Sequence, residues 1–151
     1  MEKQDFKPGE NKVTYLSEGT KISALVYVPK DYKEGEKRPA IVVTRPGSGV
    51  KEQVAGMYAK MLSEKGFISL AFDPRGFGES EGTRQLENPF NIVEDTKNSV
   101  SYISTLTEVE PSKVFNIGIC MGAGYATYAT AFASIRAFPV AVSADRESAT
   151  H

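Results

Sequence analysis

The stretch VFNIGICMGAGYA, residues 114–126, decides the fold of this chain. Its apolar beginning is typical of a strand buried in a sheet, and its alanine-rich end, which continues to about Ser134, is typical of a helix. Between the two lie Gly118, Cys120 and Gly122, in the pattern Gly-x-nucleophile-x-Gly. A sharp turn from strand to helix holds such a nucleophile in a strained backbone conformation, which needs nearly side-chain-free neighbours. The stretch therefore predicts a nucleophile at Cys120, with Gly118 and Gly122 making room for the turn.

The position of Cys120 allows two interpretations. At a helix N-terminus, the helix dipole and the free N–H groups favour a thiolate over a thiol, which suits a nucleophile. The alternative is a small buried residue, because free cysteine is among the residue types most often buried. Cys120 is the only cysteine of the chain, so it has no partner for an intramolecular disulfide. The turn context favours the nucleophile.

Upstream, the same alternation of strands and helices recurs. Two apolar runs, 40–44 and 67–72, predict strands buried on both faces of a sheet. The segment 51–65 between them predicts a helix, and a second helix follows the loop at 73–82. The apolar positions that carry these two helices are Val54, Met57, Tyr58, Met61 and Leu62 in the first, and Ile92, Val93, Val100, Ile103 and Leu106 in the second.

The two ends of the domain add three more strands. Near the N-terminus, Val13–Leu16 and Ile22–Val28 flank a short turn and predict an antiparallel hairpin. Ala137–Val142 predicts one further strand. The expected fold class is therefore α/β, with a mostly parallel sheet, an N-terminal antiparallel hairpin and helices on both faces. We expect a polar lead-in at 1–11, one domain at 12–143 and a polar tail at 144–151.

Composition narrows the function classes. The chain has 151 residues and a formal net charge of −1, without a basic patch for nucleic acid or for a membrane surface. It has neither a signal peptide nor an apolar run long enough to span a membrane, so we expect a cytoplasmic protein. One cysteine and one histidine cannot build a zinc site, and we expect no metal.

In a parallel sheet, chemistry lies at the carboxyl ends of the strands, which here are followed by the loops 45–50, 73–82 and 118–122. The first loop begins Arg45-Pro46-Gly47-Ser48-Gly49. Backbone N–H groups of Gly47 or Ser48, together with the N–H of Met121 directly after the nucleophile, would form an oxyanion hole. An ordinary strand-to-helix turn is the alternative for this loop.

The loop at 73–82 suggests a structural role. Gly76 and Gly78 permit the positive φ values of a tight excursion. We expect Asp73 and Arg75 to tie the loop to its neighbours through charge-assisted hydrogen bonds rather than to take part in catalysis.

The three motifs together resemble the α/β-hydrolase superfamily, and within it the dienelactone-hydrolase-like branch, some members of which carry cysteine as the nucleophile. The resemblance covers residues from about 12 to 143 and is most specific in DPRGFGES (73–80) and GICMGAGYA (118–126). Arg45 stands where relatives more often have histidine. The resemblance implies hydrolysis of an ester, a lactone or a related small acyl compound through an acyl-enzyme on Cys120, without a cofactor.

Members of this superfamily take their catalytic acid and histidine from later segments, whereas this sequence ends at His151. We therefore expect a truncated N-terminal part with impaired activity, in which His151, oriented by Asp145, is a weak candidate for the base. The competing interpretation is a non-catalytic α/β fragment or a small-ligand-binding domain. A final strand at 137–142 would be an unpaired apolar edge, which predicts self-association.

Overall fold

A six-stranded sheet forms the centre of the structure, a computed structural model that describes residues 4–132 and 137–142. The strands are β1 (Gly9–Ser17), β2 (Thr20–Val28), β3 (Arg38–Thr44), β4 (Ile68–Phe72), β5 (Val109–Ile119) and β6 (Ala137–Val142). The helices are α1 (Val54–Glu64), α2 (Pro89–Ser104) and α3 (Met121–Phe132). The strand order is β1-β2-β4-β3-β5-β6.

The sheet is mostly parallel. β4, β3, β5 and β6 run in one direction, while β2 pairs antiparallel with both β1 and β4. β1 and β2 form a hairpin whose two connecting residues, Glu18 and Gly19, both have positive φ, as the tightest hairpin turns require. The predicted fold class and its N-terminal hairpin are confirmed.

Alternate residues of the strands build two separate layers of core. Val42 and Leu70 face α2, whose Val100 and Ile103 pack against them. Val43 and Ala71 face the other way, toward α1. Asn116 of β5 donates to a carbonyl of α3 from the same side as α2, so helices cover both faces of the sheet. The predicted stripe of α2 is confirmed: Ile92, Val93, Val100 and Ile103 are buried, and Leu106 packs partly buried just after the helix.

The predicted apolar face of α1 is partly wrong. Tyr58 and Leu62 pack against the core, but Val54, Met57 and Met61 are exposed, and the buried positions are Ala55, Gly56, Ala59 and Ser63. At Gly56 the reason is close packing against the loop before α1, where a Cβ would overlap the carbonyl oxygen of Lys51. Ala55 and Ala59 belong to the same core cluster as Val43 and Ala71, so the buried face of α1 carries small side chains.

Several element boundaries differ from the predictions. β1 begins at Gly9, inside the predicted lead-in, because an edge strand with exposed polar residues shows no apolar run. β5 begins at Val109, since the exposed residues 111–113 hide its start. α1 begins at Val54 rather than Lys51, and α3 is described as far as Phe132.

β6 has the predicted bounds and lies at an edge of the described sheet, where it pairs with β5. The predicted tail, 144–151, lies outside the described residues. Within the described part of the chain, none of the helices is long and apolar enough to cross a membrane.

Candidate active site

The loops after β3, β4 and β5 meet at one edge of the sheet, because these three strands run parallel and lie side by side. Cys120 occupies the turn between the end of β5 and the start of α3. Its φ is 55°, in the left-handed region that non-glycine residues rarely adopt. This is the strained turn that the Gly-x-nucleophile-x-Gly pattern predicts. The Cys120 side chain is exposed, so the alternative of a small buried cysteine does not hold in this structure.

The two glycines that flank Cys120 leave no room for a side chain. A Cβ on Gly118 would overlap the backbone of Gly122, and a Cβ on Gly122 would overlap the carbonyl oxygens of Thr44 and Arg45. Gly124, two residues further on, has open space instead. Gly118 and Gly122 are therefore needed for a turn this sharp, and they bring β3 directly against the start of α3.

Gly47 in the loop after β3 faces Met121 across the site. A Cβ on Gly47 would lie 2.6 Å from the sulfur of Met121. Within the described residues, the N–H groups of Gly47 and Met121 have no hydrogen-bond acceptor. The N–H of Ser48, the other predicted donor, is directed 3.3 Å toward the Glu87 carboxylate. Of the two loop candidates, Gly47 therefore keeps the donor that a substrate oxygen could use.

Arg45, directly before this loop, is completely buried. Its guanidinium donates to both carboxylate oxygens of Glu87, at 2.9 and 3.0 Å, and to the carbonyl of Pro46 at 3.0 Å. It also lies over the ring of Phe77, 4.5 Å from the ring centre, in a cation–π contact. Tyr125 of α3 donates its hydroxyl to Glu87 at 3.1 Å.

The charge state of Glu87 follows from these contacts. Burial raises the pKa of the Glu87 carboxyl, but the hydrogen bonds and the charge of Arg45 lower it more, with help from Tyr125 and the Ser48 N–H. The net pKa is below the ordinary value, so Glu87 is a carboxylate at neutral pH. Glu87 belongs to no motif in the sequence, and no pattern there marks Tyr125 as its partner. The one signal is that Arg45, after a buried strand, needs an anionic partner.

Asp73 and Lys51 form a second, fully buried ion pair behind the loops. Asp73 accepts from the Lys51 Nζ and the Lys51 backbone N–H, both at 2.7 Å, and from the Glu79 N–H at 3.0 Å. Burial lowers the pKa of the Lys51 ammonium, but Asp73, Glu52 and Glu79 raise it more, so the net pKa lies above its ordinary value. This pair ties the loop after β3 to the loop after β4. Lys51 was not singled out in the sequence.

Arg75 holds the loop after β4 from its other side. Its guanidinium donates to the buried carboxylate of Asp95 in α2, at 2.7 Å, and to Glu18 of the β1–β2 hairpin at 3.0 Å. Gly76 and Gly78 have φ values of 88° and 50°, and a Cβ on Gly78 would overlap the Asp73 carboxylate. Asp73 and Arg75 thus make charge-assisted hydrogen bonds to neighbouring elements.

A half-open cavity of about 790 Å³ lies between the loops after β3 and β4, lined by Ser48, Val50, Gly76, Phe77, Gly78 and Arg84, with Gln85. A second cavity, of about 680 Å³, lies at the opposite end of β3, lined by Arg38 and Gly66 among others. The first of these two lies at the same edge of the sheet as Cys120, although Cys120 is not among its lining residues.

The two remaining candidates, His151 and Asp145, lie outside the described residues. Across residues 4–132, no side chain forms a hydrogen bond with the Cys120 sulfur, and the described residues contain no group of histidine, cysteine or acidic residues that could hold a metal ion.

Comparison with known proteins gives matches over most of the chain. The family model described as Serine aminopeptidase, S33 (Hydrolase_4) matches residues 36–142. The uncharacterized protein YcjY of Escherichia coli strain K12 is 44% identical over 119 residues, which are 76% of this chain and 39% of YcjY. The thiohydrolase aneE of Aspergillus aculeatus is 29% identical over 135 residues, which are 87% of this chain and 41% of that protein.

Among solved structures, the crystal structure of the hypothetical protein PA2218 from Pseudomonas aeruginosa superposes with a TM-score of 0.82 and 39% identity. The match covers 89% of this chain and 41% of PA2218. The chain therefore spans about two-fifths of the length of these relatives.

Proposed function

Because the chain belongs to the Serine aminopeptidase S33 (Hydrolase_4) family of α/β hydrolases, we propose that it carries the nucleophile and the oxyanion-binding backbone of an acyl hydrolase. The observation that carries the proposal is the backbone of Cys120. Cys120 is exposed, has a φ of 55° and lies between two glycines that tolerate no side chain. Backbone strain of this kind costs the folded state free energy and occurs most often at active sites, which supports a functional role for the thiol.

The proposed chemistry is acyl transfer to Cys120. The thiolate attacks the carbonyl carbon of an ester or lactone, a C–S bond forms, and the carbonyl oxygen takes up negative charge. The N–H groups of Met121 and Gly47 would stabilise that charge. When the oxyanion collapses, the C–O bond breaks and the alcohol oxygen leaves with the electron pair and takes a proton from water, which gives a thioester on Cys120.

Hydrolysis of this thioester needs water and a general base. The described residues bring no imidazole to Cys120, and His151, with Asp145 to orient it, remains a proposed base. We therefore propose that the described residues carry out the acylation step. Complete turnover is proposed for a protein as long as the relatives that this chain matches.

The substrate class proposed is a small uncharged or weakly charged ester or lactone, as in the dienelactone-hydrolase-like branch. The cavity between the loops after β3 and β4 would hold part of it. One relative is named a thiohydrolase, which favours a hydrolytic over a purely binding function. A cytoplasmic location, and self-association through the edge at β6, stay predictions.

A second candidate function is a non-catalytic domain that binds a small acyl ligand. It is favoured by one observation: within the described residues, the Cys120 sulfur has no hydrogen-bond partner that would act as a base. In that case the strained turn would be inherited from an enzyme without its activity.

The experiment that separates the two is a time course of p-nitrophenol release from p-nitrophenyl acetate, beside a Cys120→Ala variant. The proposal expects a burst of one p-nitrophenol per chain that the variant lacks, together with one acetyl group on the intact chain. Identical traces for the two proteins, without an adduct, would leave the binding domain as the better account.

A further inference from the structure

We propose that Glu87 is a positioning residue, which holds the loop after β3 so that the Gly47 N–H can stabilise the oxyanion. This inference rests on the proposed function, because it concerns the step in which Cys120 is acylated. Glu87 itself lies just before the N-terminus of α2, outside the three loops that the sequence singles out.

The Glu87 carboxylate joins the loop to the helix that follows the nucleophile. One oxygen, Oε1, accepts from Arg45 at 2.9 Å and from the Tyr125 hydroxyl at 3.1 Å. The other, Oε2, accepts from Arg45 at 3.0 Å and from the Ser48 N–H at 3.3 Å. Four hydrogen bonds therefore connect Glu87 to residues on both sides of Gly47 and to α3.

The loop needs such support because its backbone is strained. Ser48 has a φ of 57°, which costs a non-glycine residue free energy and persists only where the surroundings enforce it. The Glu87 oxygen bonds the N–H of this very residue, while Arg45 bonds the carbonyl of Pro46. Gly47 lies between these two anchored positions.

Gly47 also faces the turn that carries the nucleophile. A Cβ on it would lie 2.6 Å from the Met121 sulfur, so the loop and the first residue of α3 are in close contact. Tyr125, on the same helix as Met121, bonds the same carboxylate. Glu87 thereby fixes the distance between the two proposed oxyanion donors, the N–H groups of Gly47 and Met121.

Two reactions of the same thiol separate this role from a general role in folding. Acylation by p-nitrophenyl acetate passes through an oxyanion, which the two N–H groups would stabilise. Alkylation by iodoacetamide does not: the thiolate displaces iodide from a CH₂ group, and no charge develops on the carbonyl oxygen. Both rates are measured at about pH 9, where an ordinary thiol is mostly ionised without a base.

The test compares Glu87→Gln with Glu94→Gln, a matched change from carboxylate to amide within α2. Glu94 forms an ion pair with Lys97, three residues further along α2. In glutamine an NH₂ group, which donates, replaces one of the two carboxylate oxygens that accept. The side chain can therefore keep only two of its four hydrogen bonds. Because loss of one oxyanion donor costs about 10²–10³ in rate, we expect a partly displaced donor to slow acylation about tenfold. Alkylation should stay within about twofold of the parent rate, and Glu94→Gln should change neither.

An equal loss of both rates in Glu87→Gln, or an unchanged acylation rate, would overturn the inference. If the parent chain is acylated on Cys120 while Glu87→Gln is acylated equally fast, only the role of Glu87 fails. If the parent chain is not acylated at Cys120, the proposed function fails and the role of Glu87 with it.

Circular dichroism checks that Glu87→Gln is folded. If it is not, Tyr125→Phe takes its place, since it removes one hydrogen bond from Glu87 and leaves the Arg45 pair intact. A two- to threefold slower acylation with unchanged alkylation then supports the inference, on the scale of a weakened oxyanion contact. Equal effects on both reactions, or no effect on either, contradict it.

Discussion

Replacing Lys51 by methionine should be among the most damaging single changes to the stability of this chain. Methionine keeps the length and most of the volume of the lysine side chain, so it opens no large cavity. It removes the ammonium that lies 2.7 Å from the Asp73 carboxylate, and both side chains are completely buried. The Asp73 charge then stays in the interior without its counter-ion.

Breaking a buried ion pair by removing one partner costs about 3–5 kcal/mol. Asp73 keeps two backbone N–H donors, from Lys51 and Glu79, so we expect a value near the lower end, about 3 kcal/mol. For a chain of this length, that loss lowers the midpoint of thermal unfolding by roughly 6–12 °C.

The assay is urea unfolding at neutral pH, followed by circular dichroism, with two further variants. Lys51→Met combined with Asp73→Asn removes the unpaired charge and should recover about 1–2 kcal/mol of the loss. Lys12→Met breaks only an exposed pair with Glu79 and should leave the midpoint where it is. A change of less than about 1 kcal/mol in Lys51→Met, or a double variant no more stable than it, would refute this reasoning.

Two other changes test the packing around the site and the pH dependence of stability. Gly122→Ala should destabilise the chain by about 2 kcal/mol or more and abolish acylation, because the added Cβ would overlap the Thr44 carbonyl oxygen. Gly124→Ala places a Cβ in open space on the same helix and should stabilise the chain slightly. Equal unfolding midpoints for the two variants would contradict this expectation. Burial and the Glu10 carboxylate raise the pKa of Tyr27 to about 12, so folding favours the neutral hydroxyl over the phenolate. The stability that this preference contributes is fully present below about pH 10 and is lost as the pH rises toward 12. The midpoint temperature of thermal unfolding, measured between about pH 9 and 12, should therefore fall more steeply with pH for the parent chain than for Tyr27→Phe. Parallel curves for the two proteins would refute the assignment.

The order of strands and helices could be predicted from the sequence because buried strands are short apolar runs that glycines and prolines separate. The turn at Cys120 could be predicted in part for a local reason: Gly118 is required by its contact with Gly122 inside the same strand–turn–helix unit. Gly122 is required by the carbonyl oxygens of Thr44 and Arg45 at the end of the neighbouring strand, which is a tertiary contact. The stripe of α2 could be predicted because it is a regular amphipathic pattern. The exposure of Met57 and Met61 in α1 could not, because the tertiary contacts that bury Ala55, Gly56 and Ala59 leave no mark on the periodicity.

The partners in the supporting ion pairs could not be predicted from sequence. Glu87 lies 42 positions after Arg45, and Asp73 lies 22 positions after Lys51, with many other charged residues in between. Which acid meets which base depends on how the loops after neighbouring strands approach one another. The spacing of the motif predicts the turn and its nucleophile. The residues that support the neighbouring loops cannot be predicted in this way, because they are determined by tertiary contacts.

The most direct test of the central claim is to locate the acyl group itself. The chain is mixed briefly with p-nitrophenyl acetate, quenched in acid and digested, and the peptides are sequenced by mass spectrometry. The account predicts one acetyl group on Cys120, absent when the chain is unfolded in urea under the same conditions. Acetyl groups on lysines alone, or equal labelling of Cys120 in the folded and the unfolded chain, would contradict a nucleophile activated by its place in the fold.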